Sequence, residues 1–363
     1  MAENNAFCYF FFNHKCKYIK ICLIFTTFAH LYLQEDMFMY DIKNLQKWIE
    51  RTINEIPLPY EPTGLYAPVT HIMSIGGKRL RPLLCLLSHH LFNEHITDQV
   101  LMPSIGLEIF HGFTLVHDDI MDNASLRRGA PTIHTKWNNN TAILSGDVMC
   151  ILAYQYLCKS SAEHLPSVLK LFGETAAKVC EGQQLDMNYE LLPMITEEDY
   201  LTMIDLKTAV LIAASAQIGA IIGGASSEQA EKMYAFGRHL GMAFQIQDDL
   251  LDTYGDSHNF GKTIGNDIVT NKKTYLLVTA LRLAQGDTQQ KLNWWLSDKD
   301  IVAEEKIKNV KEIYDMLDIR RQAEEKINQY FISANEILEA VNVVPERKEQ
   351  LHSFADQLIN RNK

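Results

Sequence analysis

Chain breakers are scarce in this sequence. It holds 18 glycines and 10 prolines in 363 residues, about 8% together against roughly 12% in an average protein. That shortage argues against a many-turned β architecture and for long helices. Positive charge is also short: 34 Lys and Arg face 45 Asp and Glu, a net charge of −11. A duplex-binding protein carries a basic face, so nucleic acid is not an expected partner. A small anionic ligand stays open, because local cationic clusters can oppose the net sign. Signals of thiol pairing are missing. The seven cysteines are odd in number, and none forms a C-x-x-C pair. A chain this long builds a core without staples, so reduced thiols and a cytoplasmic location are expected. No apolar run reaches the roughly 20 residues of a spanning helix. The nearest, Ala209–Gly224, stops at 16 residues, includes Gln217 and is rich in Ala and Gly. It reads as a buried central helix with close neighbours.

What is present is a globular composition, 47% apolar and 22% charged. Residues 1–36 differ from the rest. They hold three of the seven cysteines, and Lys15, Lys17 and Lys20 precede the apolar stretch Ile21–Phe28. A signal peptide is one reading, but a clean small-residue cleavage site is missing. A dispensable extension is the preferred reading, with the functional domain at 37–363. From Tyr40 on, helical periodicity dominates. Helices are expected near 40–54, 64–75, 79–92, 99–123, 139–160, 166–190, 197–223, 227–255 and 272–285, with more toward the C-terminus. Neither a linker nor a repeat divides this region, so it reads as one large domain.

Two acidic clusters stand out. His117-Asp118-Asp119-Ile120-Met121-Asp122 is matched 130 residues later by Asp248-Asp249-Leu250-Leu251-Asp252. On a helix the first and last Asp of each set lie one above the other, with the middle one about 100° around. Three carboxylates within one turn repel each other, and apolar flanks make them costlier. Those flanks are Phe113, Leu115 and Val116 in one case, Phe244 and Ile246 in the other. Hard oxygen donors of this kind suit Mg²⁺, which keeps waters and completes its shell with phosphate oxygens. Two such clusters facing each other would clamp a diphosphate through bridging metals.

Cationic residues complete the pattern. Gly76-Gly77-Lys78-Arg79-Leu80-Arg81-Pro82 is expected to open a helix with Lys78 and Arg81 on one face. Arg127 and Arg128 follow the first acidic cluster and can reach phosphate oxygens. His111, seven residues before Asp118, lies on that cluster's helix face and is a candidate phosphate donor. Lys207-Thr208 opens the most apolar helix, and Gln245 precedes Asp248 by three residues. Gln183, Asp186, Lys262, Asp267 and Lys272 are further polar candidates. A metal clamp alone would also fit a phosphohydrolase.

Together these motifs resemble the trans-isoprenyl diphosphate synthases of the polyprenyl synthetase family, over roughly residues 40 to 330. The markers are Gly76–Pro82, Asp118–Gly129, Gly182-Gln183, Lys207-Thr208 and the block from Phe244 through Lys272. The resemblance implies an all-α, single-domain bundle around a deep central cavity, usually a homodimer. It implies Asp118, Asp122 and Asp248 as Mg²⁺ ligands, with Asp119, Asp249 and Asp252 completing or supporting the metal sites. About three Mg²⁺ ions are expected once diphosphate is bound. By the same resemblance Arg127, Lys207 and Lys262 contact an allylic diphosphate, with Lys272 a further substrate-binding candidate. Lys78, Arg81, His111 and Arg128 hold isopentenyl diphosphate, and Thr208 and Gln245 border the reacting carbons. The reaction implied is ionisation, head-to-tail condensation and proton loss. A basic C-terminal tail used by some relatives is reduced here to Arg361-Asn362-Lys363.

Phe113 lies five residues before Asp118, about 7.5 Å along the helix, where its ring can form a floor for a growing chain. Thr114 beside it is smaller, and Phe110 one turn below offers a second floor. In the resembled family this pattern accompanies a C20 product, with C15 second. Two other activities compete. A class I terpene cyclase shares the aspartate clamp but has no need of the second anion site. A non-catalytic partner subunit would be expected to carry eroded aspartates.

Overall fold

The structure is a computed structural model and describes residues 40–255, 265–297 and 302–359. The extension 1–36, its boundary with the domain, Lys262 and the Arg361–Lys363 tail lie outside the described residues. The chain divides into two compact units, Met1–Trp48 and Ile49–Lys363. Of the first, the described part is Tyr40–Trp48, the opening of helix α1 (Ile42–Asn54). Everything below concerns the second.

That unit is all-α, as the scarcity of breakers foretold. In chain order it contains α2 (Thr63–Ser74), α3 (Leu80–His90), α4 (Asp98–Met121), α5 (Ile133–Lys136), α6 (Asn139–Leu157) and α7 (Leu165–Glu190). Then come α8 (Glu197–Ile204), α9 (Val210–Ile222), α10 (Ser227–Tyr254) and α11 (Asn266–Val269). The C-terminal set is α12 (Tyr275–Leu283), α13 (Gly286–Ser297), α14 (Ala303–Met316), α15 (Ile319–Glu339) and α16 (Pro345–Ile359). A two-residue hairpin, β1 (Leu126–Arg127) with β2 (Ala130–Pro131), follows α4. It escapes periodicity analysis because it is too short to alternate. The helix starts follow local capping chemistry. Thr196 and Asp199 form a reciprocal capping box at α8, and the Ser226 side chain caps α10.

One expected helix breaks. Between α8 and α9 the residues Asp205–Ala209 form a π-helical turn, which holds Lys207 and Thr208. An extra residue in a turn swings the side chains around it, and such turns recur at functional sites.

The Ala- and Gly-rich run does form the central helix. α9 packs on α10, α3 and α7, and nearly all its residues are buried. Two stretches, Asp98–Met121 and Glu197–Ile222, are long and apolar enough to cross a membrane. Each is 67% buried within the protein across its apolar window, as core helices are. Small residues let α9 and α10 touch through their backbones. A Cβ at Gly241 would lie 2.7 Å from the Cα of Ala209, and one at Gly237 2.8 Å from that of Ala213. The two glycines and their two partners are each four residues apart, one helical turn, so the contact runs along the helices.

Gly241→Val is therefore expected to destabilise the protein by about 1–3 kcal/mol, because overlap outweighs the gain in helix propensity. The check is a urea midpoint that falls with an unchanged slope. An unchanged midpoint would show that α9 and α10 can separate at no cost.

Candidate active site

The first acidic cluster closes α4, and Asp122 keeps helical geometry just past its end. The three carboxylates have different environments. Asp119 is 2% exposed and turns onto Arg127 of β1, whose Nε donates at 2.8 and 2.9 Å and whose Nη2 lies 2.7 Å away. This two-pronged pair ties the hairpin to the helix. Asp118 has its pKa raised, chiefly by burial, with Asp122 and Asp186 adding to the effect and Lys207 and Arg127 opposing it.

The second cluster, at the end of α10, divides in the same way. Asp249 is 5% exposed and takes three hydrogen bonds. Tyr200 Oη donates at 2.5 Å, the Tyr275 amide at 2.9 Å and Gln245 Nε2 at 3.1 Å. Burial, with Asp267 adding, still pushes its carboxyl up to about 7, against the pull of those hydrogen bonds. Asp252 accepts from the Asp267 amide at 3.0 Å, which fixes the start of α11. In both clusters the middle aspartate is held by protein groups and fits a supporting place.

Cations face these carboxylates. Lys207 of the π turn donates to buried Asp186 of α7 at 2.5 Å. Thr208 Oγ1 donates to Gln245 Oε1 at 3.0 Å, so Thr208, Gln245 and Asp249 form one chain of hydrogen bonds. Lys272 reaches solvent. Burial tends to lower its pKa, but Asp267, Asp186, Asp249 and Asp122 outweigh that and raise it. The π turn sits against Gly182. A Cβ there would lie 2.2 Å from the Lys207 nitrogen and 2.6 Å from the Leu206 carbonyl carbon.

The arginine group is built differently from the sequence expectation. Lys78 does not share a helix face with Arg81. The helix begins only at Leu80, after Arg79 in a left-handed conformation (φ 48°), so Lys78 lies in the preceding loop. The reason is Arg79, which periodicity did not single out. Its guanidinium is drawn inward to Glu50 at 2.8 Å, Glu108 at 3.0 Å and the Met73 carbonyl at 2.6 Å. Arg128 lies over Gly77, where φ is +150° and a Cβ would meet the guanidinium, and it donates to the Gly76 carbonyl. Arg81 is buried, and its Nε has no hydrogen-bond partner among the described residues. Burial, with the nearby Arg128 adding, lowers its pKa to about 10. His111 is held neutral, its pKa well below the usual range through burial and the nearby Arg81, Arg128, Arg127 and Arg79.

Along α4 a ladder of rings leads away from Asp118. Phe113 packs against His117 at 4.8 Å and Phe110 at 5.3 Å, and Phe110 against Phe172 of α7 at 5.0 Å. Thr114 beside it donates to the His111 carbonyl at 2.8 Å. Sequence reasoning missed Tyr200, Glu108 and Arg79. Glu108 had a readable signal, a lone carboxylate inside an apolar helix, while Tyr200 had none.

The donor set fits Mg²⁺. Among the described residues no three His, Cys, Asp or Glu side chains converge into a metal cage. Mg²⁺ takes only one or two carboxylates from a protein and relies on water and phosphate for the rest. Asp118, Asp122 and Asp248 supply hard oxygens of that kind.

Comparison with known proteins agrees. Residues 62–317 match the model of the family described as polyprenyl synthetase. The chain is 35% identical over 323 residues to a geranylgeranyl pyrophosphate synthase of Geoglobus acetivorans, covering 88% of this chain and 98% of that one. It is 38% identical over 248 residues to a geranylfarnesyl diphosphate synthase of Natronomonas pharaonis, covering 64% and 72%. A crystal structure of a geranylgeranyl pyrophosphate synthase superposes with a TM-score of 0.84 at 38% identity, covering 89% and 99%.

Gly182→Ala should push the π turn and Lys207 away from Asp186. A misplacement near 1 Å lowers turnover roughly ten- to a hundredfold, with unchanged far-UV circular dichroism. Full turnover in the variant would show that the backbone contact is not needed.

Proposed function

The chain belongs to the polyprenyl synthetase family, and from that membership we propose the reaction that its residues perform. It is a short-chain trans-prenyltransferase that joins isopentenyl diphosphate head-to-tail to an allylic diphosphate. The observation that carries this reading is a pair of charged groups, each able to take a diphosphate. One lies among the outer aspartates, Lys207 and Lys272. The other is the arginine group around His111, which contains a buried guanidinium nitrogen with no hydrogen-bond partner among the described residues.

Asp118, Asp122 and Asp248 would hold Mg²⁺, which when bound offsets negative charge on the leaving diphosphate. Asp119 and Asp249 support these ligands through Arg127, Tyr200 and Gln245, and Asp252 completes the second set. Arg127, Lys207, Lys262 and Lys272 orient the allylic diphosphate. Its C1–O bond breaks, the electron pair leaves with diphosphate, and an allylic cation remains. Lys78, Arg81, Arg128 and His111 hold isopentenyl diphosphate, whose double bond attacks C1. A proton then passes to the departed diphosphate. Thr208 and Gln245 offer oxygen dipoles to the cation from a fixed hydrogen-bonded pair, and apolar walls keep water away.

Product length follows from the ring ladder. Phe113, braced by Phe110 and His117, forms the floor for a C20 product, geranylgeranyl diphosphate. Phe110 on Phe172 forms a deeper one. Homodimerisation belongs to this reading. Leu144, Ile151 and Tyr154 lie along one side of α6, and all three are exposed in the single chain. A cytoplasmic location belongs to the same reading.

The test supplies labelled isopentenyl diphosphate and Mg²⁺ with dimethylallyl, geranyl or farnesyl diphosphate, using the full chain and a chain starting at Met37. Elongation to C20 by both is expected, and its loss on adding EDTA. No incorporation from any primer would move the assignment to a terpene cyclase or a partner-dependent subunit. Phe113→Ala is expected to shift most product beyond C20, and an unchanged product would remove Phe113 as floor. Sedimentation should give twice the 41.5 kDa chain mass.

A further inference from the structure

The arginine group contains a carboxylate that the proposed reaction does not use. Glu108 lies in α4 one turn before His111 and is 4% exposed among apolar Ile105, Leu107, Ile109 and Phe110. A buried carboxylate is costly unless it is paired and hydrogen-bonded. Glu108 is only half satisfied. Oε1 accepts from Arg79 Nη1 at 3.0 Å, while Oε2 has no hydrogen-bond partner among the described residues.

Holding Arg79 is not a sufficient reason for this residue. Arg79 also donates to both Glu50 oxygens, at 2.8 and 3.4 Å, and to the Met73 carbonyl. The charge of Glu108 also acts on Arg81 and Arg128, the two arginines of the proposed subsite. Burial lowers the pKa of Arg81 and of Arg128, and in each case Glu108 is the largest influence opposing that effect. Around His111 it is therefore the main negative charge set against Arg81 and Arg128, with Asp248 acting less on Arg81 and Glu50 less on Arg128.

We propose that Glu108 sets the anion affinity of the arginine subsite, compensating guanidinium charge while the subsite is empty and opposing the diphosphate that enters. This rests on the reading of Arg81, Arg128 and His111 as the isopentenyl diphosphate subsite. The sign follows from charge alone. Removing one negative charge from a cationic cluster raises the free energy of the empty protein. It also strengthens the pull on an incoming anion, and like charges inside a protein interact far more strongly than in water. The carboxylate thus keeps the empty subsite tolerable and the substrate exchangeable.

The test is Glu108→Gln, which keeps the side-chain shape and an acceptor for Arg79. Isopentenyl diphosphate is titrated by calorimetry into the full-length protein with EDTA present, so that no metal-dependent site contributes. Binding about five- to tenfold tighter than wild type is expected. In melts, E108Q should have a lower Tm than wild type without ligand and a larger rise with it. In turnover, KM for isopentenyl diphosphate should fall while KM for the allylic substrate stays unchanged. Equal or weaker binding would overturn the proposal and leave Glu108 as scaffold for Arg79. Glu50→Gln, which also touches Arg79, should change affinity less than about twofold. An effect equal to that of E108Q would assign the result to Arg79. If E108Q is partly unfolded alone, isopentenyl diphosphate should refold it, and failure to do so counts against the proposal. Wild-type protein that does not bind without metal would overturn the subsite reading itself.

Discussion

Repulsion among carboxylates inside an apolar bundle is the constraint on which the rest of this structure depends. Six aspartates stand at the ends of two core helices: Asp119 and Asp249 are buried, Asp118, Asp248 and Asp252 half-buried, and Asp122 exposed. Asp119 is given to Arg127, and Asp249 to Tyr200, Tyr275 and Gln245. Among the outer members Asp118 has its pKa raised, chiefly by burial, with Asp122 and Asp186 adding to the effect. In the proposed reading a divalent cation with a diphosphate would offset this charge.

The complementary problem exists on the basic side. Arg79, Arg81 and Arg128 crowd around a neutral His111 with Glu108 beneath them. In the proposed reading a metal with diphosphate would complete the acidic side and a second diphosphate the basic one. A bundle that brought the two groups together would neutralise itself. The scaffold pairs Asp119 with Arg127 and Asp186 with Lys207.

Such placement needs backbones that approach closely. Gly182 lets α7 touch the π turn, and Gly237 and Gly241 let α10 touch α9. The π turn aims Lys207 at Asp186 and Thr208 at Gln245. A regular helix at this point would rotate one of them away, so local backbone irregularity and polar geometry are the same feature.

The sequence by itself determined the helical class, the order and extent of the long helices, and the two acidic clusters with their flanking cations. Those follow from periodicity and spacing within one segment, which physics reads locally. It missed the hairpin, which is too short for a period, and the π turn, whose composition is ordinary for a helix. It also put Lys78 and Arg81 on one helix face, because nothing nearby announces that Arg79 turns inward to Glu50 and Glu108. Only the tertiary structure decided which aspartate of each triplet is already satisfied and which cation pairs with which carboxylate. Those choices depend on residues 20 to 50 positions apart, such as Lys207 with Asp186 and Tyr200 with Asp249. Charge balance inside a core is a property of the packed neighbourhood, and no single segment contains it.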